Sequence, residues 1–240
     1  MNWKVTMKRL LLIGAIFLIG CSFAPGISGS GTLVTRDVTV GDFTSIDASG
    51  ALQIDVTQGD KASVTVTADD NLWEYLDVHS DGGVLHVGLK GGSFHNTHVS
   101  ANITVPHLKH LGVAGATNAT VHGIRVPDEL LKVELSGASK LDGDANARDM
   151  ELEISGASTA KLTGQTNRLD VTVSGASHAS LRQLQTQTTH ANVSGASSAD
   201  VHAAGNLEYD VSGASHLAYA GGPSVKQSHT SGASSAGAVD

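Results

Sequence analysis

The chain has 240 residues, 28 of them glycine and only 4 proline, with 4% aromatic residues. That balance excludes an ordinary globular core built on large side chains and favours a repetitive small-residue architecture. The formal net charge is −8 and the 15 Lys and Arg are scattered, which excludes a nucleic-acid-binding face.

In chain order, the first element is a targeting segment. Lys4, Lys8 and Arg9 form a positive start, residues 10–19 are an apolar run too short to span a bilayer as a folded helix, and the run ends in Leu18-Ile19-Gly20-Cys21. This ending resembles the lipobox of bacterial lipoproteins. The resemblance implies a signal peptide over 1–20, cleavage before Cys21, and diacylglycerol and palmitate on Cys21. Ser22 follows the cysteine in place of aspartate, which by the Gram-negative sorting rule points to the outer membrane. Cleavage removes three cations and no acid, so 12 Lys and Arg face 23 Asp and Glu and the mature chain carries −11. Cys21 is the only cysteine, which excludes an intramolecular disulfide. Residues 21–31, rich in Gly and Ser and without periodicity, read as a tether.

The folded part is expected over 32–240. Up to residue 123 the alternation predicts strands at 37–40, 45–48, 52–56, 62–67, 84–89 and 99–105, with one short helical turn over 70–76. Ser49-Gly50-Ala51 and Ala114-Gly115-Ala116-Thr117 anticipate the motif that follows.

From 124 to 240 the chain is organised by Ser-Gly-Ala-Ser, which begins at Ser136, Ser155, Ser174, Ser194, Ser212 and Ser231, at intervals of 19, 19, 20, 18 and 19 residues. A near-constant period with one fixed tetrapeptide is a solenoid signature. Before each motif, residues three and one positions back are apolar, as in Val133 and Leu135, Leu152 and Ile154, or Val171 and Val173; Glu134, Glu153 and Thr172 lie between them. After each motif a second alternating run follows, as in Ala160 and Leu162 or Ala179 and Leu181. These are strands with one buried face. A rung of about 19 residues fits a parallel β-helix, in which equivalent positions stack at roughly 4.8 Å. The leucine framework of leucine-rich repeats is absent.

Three blocks, Asp37-Val38-Thr39-Val40-Gly41-Asp42-Phe43-Thr44-Ser45-Ile46-Asp47, Val64-Thr65-Val66-Thr67-Ala68-Asp69-Asp70-Asn71-Leu72 and Ile103-Thr104-Val105-Pro106-His107-Leu108, precede the Ser-Gly-Ala repeats. In that order they resemble the GIN domain, also called the auto-transporter adhesin head domain, over about 32–240. The resemblance implies a β-helix-like fold on a secreted or lipid-anchored bacterial protein with no established activity. Many members carry Ser-Gly-Ser-Gly-Asp where this chain has Ser-Gly-Ala-Ser, so any role of that aspartate does not transfer.

Candidates for chemistry are few. Ser177, in Gly175-Ala176-Ser177-His178, lacks the second glycine of a nucleophile elbow, and six copies of its context read as a structural ladder. The pairs His95/His98 and His107/His110 are spaced three apart, which on a strand points them to opposite faces, while His178 and His216 lie two rungs apart. The 12 histidines therefore read as exposed and not metal-binding. The one constellation above background is acidic. Glu134 and Glu153 share an outward position in successive rungs, and Glu151 and Asp170 share the position two residues earlier. Stacked like charges repel, which makes a bound cation or the nearby Lys132 useful. This patch is the candidate cation or ligand site.

The sequence thus predicts an all-β parallel β-helix, lipid-anchored at Cys21 in the bacterial envelope, with no cofactor and no catalytic residue. It would act as an adhesin or structural interaction module toward envelope glycans or proteins. A carbohydrate-active enzyme and an envelope-stress or signalling accessory protein are the alternatives.

Overall fold

The computed structural model describes residues 26–239; the signal segment and Cys21 lie outside the described residues. Strands β1 (Ile27–Ser28), β2 (Leu33–Asp37), β3 (Ser45–Gly50), β4 (Gln53–Gln58) and β5 (Ser63–Asp69) lead into a 3-10 turn at Asp70–Tyr75. Then come β6 (Leu76–Asp81), β7 (Val84–Leu89), β8 (Phe94–His95), β9 (Val99–Val105) and β10 (His110–Gly115). Five long bent strands follow: β11 (Asn118–Leu135), β12 (Lys140–Ile154), β13 (Thr159–Val173), β14 (His178–Val193) and β15 (Ser198–Val211). The chain continues through β16 (His216–Ala220), β17 (Ser224–Thr230) and β18 (Ser235–Ala238).

The chain is a β-solenoid of about six turns, with nearly all its strands in one 16-stranded sheet that winds around the core. From β11 onward each rung pairs in parallel with the next, so residues one repeat apart lie side by side, as in Val133 beside Leu152 and Leu152 beside Val171. These alternating side chains are at most 2% exposed from Val133 to Val193. Tyr209 and Tyr219 stand only half-buried in the late rungs, their rings 6.2 Å apart.

The Ser-Gly-Ala-Ser motif is the corner of every rung. Its glycine carbonyl accepts a bond from the alanine amide of the following rung, as in Ala157 to Gly137 at 2.7 Å and Ala176 to Gly156 at 2.8 Å. At Gly175, with φ +78°, a Cβ would stand 2.5 Å from the Gly156 oxygen, so only glycine permits both the left-handed backbone and the close approach. The column starts before the regular repeats: Gly115 packs on Gly50 and Gly137 on Gly115 in the same way. The last serine of the first five motifs is buried, from Ser139 to Ser215. Ser139, Ser158 and Ser177 are at most 3% exposed, and the amides of Ser139, Ser158 and Ser177 each donate to the hydroxyl of the corresponding serine one rung on, at 3.3 Å.

The opening portion is built differently. β3 and β4 form an early coil beneath β10 and β11, and β7 and β9 extend its two walls in parallel. The chain then reverses: β6 pairs antiparallel with β7, and β5 pairs antiparallel with both β9 and β2. This end is closed by reversed strands and by the 3-10 turn, whose Leu72 is fully buried. A strand expected at 37–40 lies instead at Leu33–Asp37. Val38 donates one backbone bond to Val64 before the chain departs from the sheet. Pairing also begins ahead of residue 32, since Ile27–Ser28 runs parallel to Phe94–His95.

Candidate functional site

The parallel register sets the four acidic residues as their spacing implied. Glu134 stands beside Glu153, and Glu151 beside both Lys132 and Asp170. Lys132 lies on the same outward face because it is two residues before Glu134 on β11, and its ammonium becomes the centre of the patch. Lys132 Nζ is 2.8 Å from Glu134, 3.2 Å from Glu151 and 3.4 Å from Glu153. The Lys132 ammonium is held in its charged form, chiefly by Glu134 and then by Glu151, and Lys132 in turn holds the Glu134 carboxyl below the usual carboxylate range. The repulsion expected among stacked glutamates is thus answered from within the chain.

Asp170 is set apart from this trio. Arg168 grips it with two nitrogens, at 2.9 and 3.2 Å, and His190 Nδ1 lies 3.4 Å away. The other ring nitrogen of His190 is 3.3 Å from Glu208. The ladder therefore runs across five rungs as alternating charge: Glu134, Lys132, Glu151 and Glu153, Arg168 and Asp170, then His190 and Glu208.

Toward the other end, the same face continues as histidine and aspartate. His110 Nε2 is 3.3 Å from Asp47, and His86 Nδ1 is 3.8 Å from the other oxygen of Asp47. The approach of His110 to Asp47 passes over Gly112, where a Cβ would come within 2.5 Å of the carboxylate. His79 faces His86 across the antiparallel pair with rings stacked at 5.0 Å, and its Nδ1 is 3.0 Å from Asp77.

His107 and His110 do turn apart: His107 binds Glu129 at 3.0 Å while His110 binds Asp47. Lys109 also reaches Glu129 at 3.0 Å, and these two donors, His107 first, hold the Glu129 carboxyl below its ordinary value. His178 and His216 each meet the serine of the next rung, Ser198 at 2.7 Å and Ser235 at 2.8 Å. Among the described residues no three His, Cys, Asp or Glu side chains converge as metal ligands. Ser177, 3% exposed, has its hydroxyl engaged by the Ser158 amide, and the neighbouring His178 turns to Ser198. Sequence reasoning missed the carboxylate partners of His86, His110 and His190, because each pair joins residues from different rungs whose charges carry no local pattern.

Among the described residues, no helix is long and apolar enough to cross a membrane. A sequence family described as "Putative auto-transporter adhesin, head GIN domain" matches residues 42–223. No curated protein sequence matches the chain. Among solved structures, a "putative adhesin" from Bacteroides fragilis superposes with a TM-score of 0.75 at 20% identity, covering 89% of this chain and 100% of that one. A "putative lipid binding protein" from Parabacteroides distasonis gives 0.73 at 21%, covering 89% and 99%. A "putative adhesin" from Parabacteroides merdae gives 0.68 at 20%, covering 90% and 100%. At these identities the likeness speaks for the fold.

Proposed function

Because the chain belongs to the auto-transporter adhesin head GIN-domain family, we propose that it is a lipid-anchored protein of the bacterial envelope, tethered through Cys21 and acting as an adhesive or structural interaction module without catalysis. The observation that carries the non-enzymatic reading is the state of its paired carboxylates. A glycoside hydrolase needs one carboxyl raised toward neutrality as a proton donor beside a second, ionised one. Here Glu134 is pushed the other way by Lys132, and Glu151 and Glu153 share the same ammonium on an open face. Such groups are fixed charges suited to recognition. The repeat architecture supports the same reading, since stacked rungs present regular rows of outward side chains over an extended surface.

The anchor and the module are tested together. Cys21→Ala should leave a longer, unprocessed precursor without incorporated palmitate, whereas the wild-type chain is labelled and fractionates with the outer membrane. Normal processing and labelling of that variant would end the lipoprotein reading. Purified protein, screened against glycans and envelope components, should bind without turning any of them over; cleavage of a polysaccharide by the wild type, abolished by Glu153→Gln alone, would end the non-enzymatic one.

A further inference from the structure

Around the corner from the charged ladder, the bent strands β11 to β14 carry two outward rows of a different chemistry. Arg125, Asn146, Gln165 and Gln185 are neighbours in register on successive strands. Two residues further along their strands, Arg148, Asn167 and Gln187 form a second row. Between them runs an open groove of about 380 Å³. The main chain beneath Arg125 is fixed by Gln58, whose side-chain oxygen accepts from the Arg125 amide at 2.5 Å and whose nitrogen donates to the Arg125 carbonyl at 3.3 Å.

Two features set this groove apart. Although the chain has 23 Asp and Glu, none lines it, and of its two guanidiniums only that of Arg148 meets a carboxylate among the described residues, Asp149 from behind the groove lining. Arg148 gives its Nε to Asp149, at 2.9 Å, and its two terminal nitrogens have no partner among the described residues. In addition, the side-chain amides of Asn146, Gln165, Asn167, Gln185 and Gln187 make no hydrogen bond within the described residues, although each offers two donors and an acceptor. On the adjacent face, by contrast, Arg168 gives two nitrogens to Asp170 and Lys132 reaches three glutamates.

We propose that this groove binds a linear anionic glycan, with its carboxylate or sulfate groups held by Arg125 and Arg148 and its hydroxyls met by the amides of Asn146, Gln165, Asn167 and Gln187. The assignment rests on chemistry. Guanidiniums bind planar and tetrahedral anions through two nitrogens, and amides match sugar hydroxyls because both groups donate and accept. Four rungs at about 4.8 Å extend the rows over roughly 14 Å, the length of a short oligosaccharide. No aromatic ring lines the groove, so it is not a stacking platform for bases. Here β12 to β14 are paired on both edges, and on the outer edge of β11 the Arg125 amide and carbonyl are taken by the Gln58 side chain, so the backbone of Arg125 is closed to an added peptide strand.

This inference rests on the interaction-module reading and names its ligand class. The test titrates the purified full chain with a hexamer of galacturonic acid, a heparin-derived oligomer of similar length and a neutral cello-oligosaccharide. Saturable binding of either anionic oligomer is expected, weakening with salt and falling at least about tenfold in Arg125→Gln/Arg148→Gln. A smaller loss is expected in Gln165→Ala/Asn167→Ala. Lys61→Gln/Lys140→Gln, which removes two exposed cations outside the groove, should bind as wild type. All these side chains are at the surface, so unchanged melting confirms that the variants fold. The inference is overturned if neither anionic oligomer binds, if the neutral one binds equally well, or if the arginine variant binds unchanged. Adhesion of protein-coated beads to envelope fractions separates the two claims: undiminished adhesion of the groove variants removes the groove and keeps the module, while no adhesion by wild type removes the module.

Discussion

Between Asn118 and Ala238 the chain answers one packing question repeatedly, whereas between Leu33 and Val105 each strand answers its own. In the regular stack, parallel pairing sets like beside like, so one glycine corner, one buried serine and one pair of apolar residues serve every rung. In the opening portion antiparallel pairs join unlike sequences, and a buried carboxylate does what the corner does elsewhere. Asp69 is fully buried and accepts from the amides of Gly31 at 2.8 Å and His98 at 2.7 Å, pinning the entry of β2 to the loop before β9. Repetition makes a region tolerant of change at any one exposed position and intolerant at its shared corner; the reversed strands concentrate their vulnerability in single residues.

The largest expected effect breaks the corner. In Gly175→Val the new Cβ meets the Gly156 oxygen at 2.5 Å, the backbone is left-handed, and the next rung's Gly195 already packs against the Gly175 carbonyl. A loss of roughly 3 kcal/mol is expected in denaturant unfolding. Gly82→Ala, in the turn between β6 and β7, shares the positive φ of +56° but meets nothing within 4 Å, so it should lose only about 1 kcal/mol. Equal losses would mean that backbone conformation alone, and not rung-to-rung contact, sets the corner.

This contrast also explains what could be read in advance. In-register parallel pairing writes its geometry into the sequence as a period, and so Val133, Leu152 and Val171 announce a shared wall and Glu134 and Glu153 a shared row. The cation at the centre of that row was foreshadowed by Lys132, two residues from Glu134. Antiparallel partners leave no such trace. Nothing near Asp69 marks it as buried, because the amides it serves come from Gly31 and His98, and strands β6 and β10 escaped notice because each alternates through only two large apolar residues, Leu76 and Val78 in one and Leu111 and Val113 in the other. The groove rows were hidden by unequal rung lengths, since Asn146 and Gln165 lie 19 apart but Gln165 and Gln185 lie 20 apart.

A second, smaller effect sharpens the comparison by acid. The His98 amide holds the Asp69 carboxyl below its ordinary 3.8, against an opposing push from burial. A lowered folded value means that this stabilisation is complete above the ordinary value and disappears as pH falls through the lower folded one. Hydrogen exchange should therefore show the Leu33–Val105 amides losing protection below about pH 3.8 before those of β12 to β14 do. Asp69→Asn should loosen the same region already at neutral pH. Uniform loss along the chain would contradict the division.

Smaller still is the response of the charged ladder. Glu134 is likewise lowered, from an ordinary 4.5, by Lys132, so the pair stabilises above that value and fades as pH falls through the lower one. Lys132→Met leaves Glu134, Glu151 and Glu153 facing one another. The variant should melt below wild type at neutral pH, more so at low salt, and the gap should close as the carboxylates protonate. All four groups are substantially exposed, so the shift should be modest. A gap independent of pH would assign the role of Lys132 to its methylene stem.

The smallest effect tests whether the regular stack is as uniform as it looks. Ser177 and Ser215 hold the same corner position and are equally buried, 3% and 2% exposed. The Ser177 hydroxyl accepts the Ser158 amide at 3.3 Å, while the Ser215 hydroxyl has no partner within the described residues. Removing a hydroxyl that satisfies a buried donor costs about 1 kcal/mol, and removing one that is buried unpaired costs nothing or stabilises. Ser177→Ala should therefore lower the denaturant midpoint and Ser215→Ala should leave it unchanged or raise it. Thr117, at the head of the column, bonds the Ala114 carbonyl at 2.8 Å, so Thr117→Val should behave like Ser177→Ala. If all three substitutions shift the midpoint equally, the hydroxyl column contributes through its volume and not through its hydrogen bonds; the ordering expected here makes those bonds a local property of each rung, set by whether a neighbouring rung's amide or a carbonyl of the same corner stands within reach.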